Sequence, residues 1–144
     1  MFFSLSEVIP DASSFLVIGD WLLHMLHTGL IIFLLVGWKI PAWRKLHLTL
    51  ALLVWLSWVI LGLMVGHIGY CPLTDWHWQL KQSMGIYNLP PSYIEYLYWK
   101  LGGGDVSDKR VANLTAAVMV LVTAASLWLR VRGIMKSAGK TDDM

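Results

Sequence analysis

Three apolar runs limit what this chain can become more than any other feature. They are residues 15–38, FLVIGDWLLHMLHTGLIIFLLVGW, residues 46–68, LHLTLALLVWLSWVILGLMVGHI, and residues 111–131, VANLTAAVMVLVTAASLWLRV. An α-helix needs ~20 residues to cross a hydrocarbon layer ~30 Å thick, and each run reaches that length. Inside lipid a lone segment must satisfy its own backbone N–H and C=O groups, so helix is the geometry expected for all three. Composition agrees. Of the 144 residues, 57% are hydrophobic and 14% charged, with mean hydropathy +0.61. Soluble domains carry roughly 25% charged residues, so this chain has too little polar surface to cover itself in water. One domain over residues 1–144 is expected. The first run is expected to be retained rather than cleaved. MFFSLSEVIPDASS before it carries no basic residue, and the run is too long for a signal-peptide core.

Charge predicts an orientation. The turn KIPAWRK, residues 39–45, holds Lys39, Arg44 and Lys45 and no acid. The segment after the third run holds Arg130, Arg132, Lys136 and Lys140, with Asp142 and Asp143 at its end, while Glu7 and Asp11 precede the first run. Lysine and arginine favour the cytoplasmic face, which predicts N-terminus out, first turn in, long segment 69–110 out and C-terminus in. Lys109 and Arg110, at the outer end of the third run, run slightly against this.

Segment 69–110 is too polar to span a membrane and too aromatic for a plain linker. Thr74 is expected to cap a helix through DWHWQLKQSM that Gly85 ends. Along that helix Trp76, Leu80 and Met84 make an apolar stripe at i, i+4, i+8, with His77 and Lys81 on another face. After Pro90-Pro91, Ser92 and Glu95 have the spacing of a capping box and open a second helix through YIEYLYWKL, which the glycines at 102–104 stop. The expectation is two short interfacial helices on the outer side, with aromatic rings at headgroup depth.

The stretch GDWLLHMLHTG, residues 19–29, places three ionisable side chains inside the first run. At 100° per residue Asp20, His24 and His27 share one helix face. An aspartate at a helix centre costs ~2.5–3.5 kcal/mol to insert, so it needs a partner, and His24 one turn away is a candidate. His67 ends the second run on the same predicted side, close to Cys71, Asp75 and His77. His47, at the other end of that run, lies about 30 Å from His67 along a helix and cannot share a ligand with it. Three readings follow, in order of preference. The groups are satisfied packing; or His24 and His27 face His67 across a metal or haem b site; or Asp20 and the histidines form a proton-relay or quinone-head site. Nothing in the sequence forms a nucleophile–base pair, a phosphate loop or a zinc-protease motif, so an enzyme is not the expected reading.

Partner classes narrow likewise. Net charge is +2 with no long basic run, which argues against nucleic acid. A single cysteine, Cys71, allows no intrachain disulfide and no zinc site built from cysteines. Gly62 and Gly66 make a small-xxx-small spacing on the second run, and the third carries Ala116, Ala117, Ala124, Ala125 and Ser126. Such residues let helix backbones approach where lipid supplies no hydrophobic drive. These faces are expected to serve internal packing by default; Gly62 and Gly66, with Trp76 and Trp78, are also candidate contacts to other membrane subunits, and the mid-run rings of Trp55 and Trp58 are expected against a neighbouring subunit or a lipid or pigment-like ligand. Bound lipid is expected as well.

Taken together, Asp20 then His27 in the first run, His47 opening the second, Cys71-Pro72-Leu73-Thr74 after it, and the aromatic Ser92-Tyr93-Ile94-Glu95-Tyr96 stretch resemble one bacterial inner-membrane family, domain of unknown function twenty-seven eighty-four. The resemblance covers residues 20–100 or so, and Cys-Pro-Leu-Thr is its most specific part. It implies a multi-pass protein of the bacterial inner membrane and importance for His27, His47 and Cys71; it implies no reaction. The full expectation is an all-α integral membrane protein with three transmembrane helices and two interfacial ones. Its expected role is that of a non-catalytic accessory or scaffold subunit of a larger membrane complex, respiratory or photosynthetic. The alternative is a small haem-, metal- or quinone-binding redox protein using His24, His27, His67 and Asp20.

Overall fold

A computed structural model describes residues 14–104 and 106–141, with side chains up to Met135. Glu7, Asp11, Asp142 and Asp143, which entered the charge argument, lie outside the described residues, as do the side chains of Lys136 and Lys140. Every regular element among the described residues is helical. The first, α1, is Ser14–Val36. Two 3₁₀ turns, Gly37–Lys39 and Pro41–Trp43, join it to α2, Arg44–Leu56. A π-helical stretch, Ser57–Leu61, carries α2 into the short α3, Gly62–Val65. Then come α4, Pro72–Ser83, α5, Tyr93–Lys100, and the long α6, Asp108–Thr141.

Three helical stretches are long and apolar enough to cross a membrane: Ser14–Lys39, Pro41–Val65 and Asp108–Met135. They agree with the expected runs to within a few residues, except that the second stops at Val65 and leaves His67 and Ile68 outside it. These three pack around a small core of Leu34, Ala51, Met119 and Val122. Trp55 and Trp58 belong to its shell, edge to face at 5.5 Å, and Trp55 Nε1–H donates to Thr123 Oγ1 at 3.3 Å. These two half-buried rings therefore pack on the inside of the chain, and only their exposed remainder is left for the expected neighbouring subunit, lipid or pigment-like ligand. Crossing helices leave a gap between their backbones, and an indole is large enough to fill it. At the far end of α1 the fully buried His47 donates from Nε2 to the Leu34 carbonyl at 2.8 Å, tying the start of α2 to the end of α1.

Gly62 and Gly66 have a local use rather than the expected contact with another helix. Gly66 adopts φ +78° and ends α3 in the left-handed conformation that glycine takes without steric cost. A Cβ on Gly62 would stand 2.8 Å from the His67 carbonyl oxygen. The chain folds straight back over Gly62: His67 N–H donates to the Gly62 carbonyl at 2.8 Å and Gly69 N–H to the Trp58 carbonyl at 3.1 Å. The π-helical stretch shapes this return. Within it the Trp58 carbonyl is the acceptor for Gly69 N–H, and Ser57 Oγ–H donates to the Tyr70 carbonyl at 2.8 Å.

The return delivers α4 and α5 to the flank of α1. Pro72 occupies the first turn of α4, where its missing N–H is no loss, and Cys71 in extended geometry is the N-cap. Thr74, expected as the cap, instead lies buried within the helix. The stripe of Trp76, Leu80 and Met84 is split: Trp76 is 58% exposed and Met84, just past α4, is buried, whereas the buried side of α4 itself is Thr74, His77 and Lys81. Two endings were read correctly: Gly85 follows α4 with φ +81° and Gly102 follows α5 with φ +85°. Ser92 is the N-cap of α5 and its hydroxyl accepts from the Glu95 N–H at 3.2 Å.

Candidate functional site

α1 presents Asp20, His24, His27 and Thr28 along one face, and that face is where α4 and α5 dock. Gly19 makes the approach close, since a Cβ there would meet Leu80 Cδ1 at 3.2 Å. Asp20 is 4% exposed. Its Oδ1 accepts from Lys81 Nζ at 2.6 Å and from His77 Nε2–H at 2.8 Å, and both donors are buried. The expected partner, His24, does not reach it. Groups one turn apart share a face but lie along it, whereas α4 meets that face head-on and brings two donors to a single oxygen.

His24 bonds to Tyr93 instead. The Tyr93 hydroxyl donates to the His24 carbonyl at 3.0 Å, and His24 Nδ1 and Thr28 Oγ1 lie 2.7 Å and 2.8 Å from the same oxygen. Tyr93 is almost wholly buried, and burial pushes its phenol up to about 12. Its ring stacks on His27, centroids 3.9 Å apart and planes 12° from parallel. The remaining edge of His27 points to the cap of α4, with Nε2 3.8 Å from Cys71 Sγ. Trp78 and Tyr96 enclose the group. Trp78 Nε1–H donates to the Pro90 carbonyl at 2.8 Å, and Lys81 Nζ stands 5.1 Å from the Tyr96 ring centre, a cation–π distance. Burial also raises the Tyr96 phenol above its ordinary value.

The structure therefore gathers Asp20, His24 and His27, as their spacing predicts, together with Trp78, and leaves His67 outside. His67 is exposed beyond the end of α3. Among the described residues, no group of three or more His, Cys, Asp or Glu is placed to hold a metal ion. Sequence reasoning missed Lys81 and Tyr93 as members, although it set His77 and Lys81 together on one face of α4 and His77 among the groups on the side of Asp20. A signal for them existed. A buried acid calls for a cation, and His77 and Lys81 are spaced i, i+4 on the helix that follows the second long stretch.

Chemically the cluster is a network directed mostly at itself. Asp20's charge is met by Lys81, the His24 and Thr28 polar groups converge on one phenol, and His27 stacks on that phenol's ring with its Nε2 edge toward a thiol. His27 Nδ1 and His77 Nδ1 are buried without a hydrogen-bond partner. A family model described as "Protein of Unknown function (DUF2784)" matches residues 17–131, which hold the whole cluster and most of all three long helices. No curated protein and no solved structure matches the chain.

Proposed function

We propose for this chain, which belongs to the DUF2784 family, the role of a non-catalytic structural subunit in a larger assembly of the bacterial inner membrane. The observation that carries this reading is how little of each long helix the chain covers by itself. Only 17%, 11% and 17% of the apolar windows of the three stretches are buried internally. Lipid takes part of that surface, and a protein neighbour is well suited to the rest. The buried cluster supports the same reading, because its strongest polar groups are directed at one another and fasten α4 and α5 to α1.

In this reading the turn 39–45 faces the cytoplasm and α4 and α5 cap the outer side. Counting back ~20 residues from Lys39 along α1 brings the outer edge of the hydrocarbon close to Asp20. The Asp20–Lys81 pair then sits at the boundary, where an ion pair is less costly than at mid-membrane. Trp76, largely exposed on α4, is left for a neighbouring subunit or the headgroups.

Native mass spectrometry of the full chain, purified from its own membranes in mild detergent, tests the role. The expected result is a species of defined stoichiometry well above the 16.3 kDa of one chain, weakened by Trp76→Ala. A homogeneous monomer in every mild detergent overturns it.

A further inference from the structure

The end of the molecule remote from the buried cluster carries a second feature. Arg44, Lys45 and Pro41 at the start of the second long stretch meet Leu129, Arg130 and Ile134 of α6 around a groove of about 340 Å³. Three of the lining residues are basic and none is acidic. Arg44 is half-buried and held in place, its Nε–H donating to the Trp38 carbonyl at 3.1 Å. Arg130 is half-buried as well. Neighbouring cations take other positions: Lys39 lies over the Trp38 ring at 5.6 Å and Arg132 over the Trp128 ring at 5.0 Å. Among the described residues, Arg44, Lys45 and Arg130 thus line one groove from two helices with no acid beside them, and like charges so placed repel unless an anion joins them.

The walls indicate which anion. Leu129 and Ile134 are apolar and belong to a helix of bilayer-spanning length. A groove between two such helices, lined by both basic and apolar side chains, matches a phosphodiester with acyl chains attached. We propose that this groove is a headgroup site for an anionic phospholipid, with Arg44, Lys45 and Arg130 holding the phosphate and Leu129 and Ile134 lying along the first part of the chains. The proposal rests on the bilayer placement given above, though not on the subunit role.

The test uses the full chain in detergent, offered phosphatidylglycerol and phosphatidylcholine with identical acyl chains, with retained lipid counted by native mass spectrometry. Phosphatidylglycerol should be retained in clear preference. Arg130→Gln should reduce that preference roughly fivefold, the factor expected for one basic group near a charged headgroup, and Arg132→Gln, outside the groove, should leave it unchanged. The triple variant R44Q/K45Q/R130Q should abolish the preference. Equal retention of both lipids, an Arg130→Gln protein with undiminished preference, or complete displacement of the lipid by millimolar inorganic phosphate each overturns the site. If the chain fractionates as a soluble protein, the bilayer placement falls and the site falls with it. A membrane-inserted chain without headgroup preference removes the site alone.

Discussion

At the scale of single residues, the Asp20–Lys81 pair decides whether the cap stays on. A lysine is almost never fully buried unless paired, and Lys81 is 2% exposed. Lys81→Met leaves the carboxylate with His77 alone in a dry site, and removing one partner of a buried pair costs about 3–5 kcal/mol. The double variant D20N/K81M, which removes both charges, should recover most of that loss. Thermal melting in detergent distinguishes the two; a Lys81→Met protein that melts like the parent would show the pair to be dispensable. Tyr93 makes a second test through pH. Its folded-state value of about 12 lies above the ordinary 10.0, so the neutral phenol is favoured by folding. That contribution is complete below pH 10 and is lost as pH rises towards 12. Between those values the parent should lose stability faster than Tyr93→Phe, in which that phenol is absent; parallel curves would refute the assignment. The i, i+4, i+7 face of Asp20, His24 and His27 was legible because helical periodicity is a local property. Their true partners were not, because Lys81 and Tyr93 are brought in by a chain reversal that no spacing encodes, and a lysine in a short polar helix ordinarily points to water.

At the scale of elements, the ends of helices were easier to read than their faces. Gly85, Gly102 and Ser92 each act within a turn of their own position, so residue type alone predicted them. Which side of α4 turns inward was not legible, because an apolar stripe normally marks the buried face, and here the buried face, with His77 and Lys81, answers to polar groups on α1. Gly62 and Gly66 were misread for a related reason. The small-xxx-small spacing gives the size of the side chains, while whether a helix or the chain's own return fills the space depends on the break at Val65. Alanine substitution separates these uses. A Cβ on Gly62 meets backbone at 2.8 Å, which cannot swing aside, whereas one on Gly29 meets nothing within 4 Å. Gly62→Ala should therefore destabilise the monomer by about 1–3 kcal/mol, the usual range for overpacking. Gly29→Ala should be neutral or slightly stabilising, as alanine is the better helix former. Thermal melting of both variants in detergent checks this, and a neutral Gly62→Ala would mean that the return over α3 is loose.

At the scale of the whole molecule, the three long stretches were legible to within a few residues because length and hydropathy are summed properties that survive local misreadings. The arrangement around them adds an argument about direction. The turn 39–45 joins the first two stretches, and Arg130 near the end of the third lies beside Arg44 and Lys45. One end of the bundle thus concentrates positive charge, while the opposite end carries the cap with its buried Asp20–Lys81 pair. A membrane that retains lysine and arginine on its cytoplasmic face should orient the whole unit by that basic end. Two exposed positions on opposite ends report the outcome: Ala42 in the basic turn, and Tyr87, 73% exposed between α4 and α5. In a Cys71→Ala background, a membrane-impermeant maleimide applied to intact cells with a permeable outer membrane should label Tyr87→Cys and spare Ala42→Cys until the inner membrane is broken. The opposite pattern would invert the unit and put the cap in the cytoplasm. Equal labelling of both positions in intact cells would be incompatible with a bilayer lying between them, and would remove the reason for reading the exposed flanks of the long helices as surfaces for lipid and subunit contact.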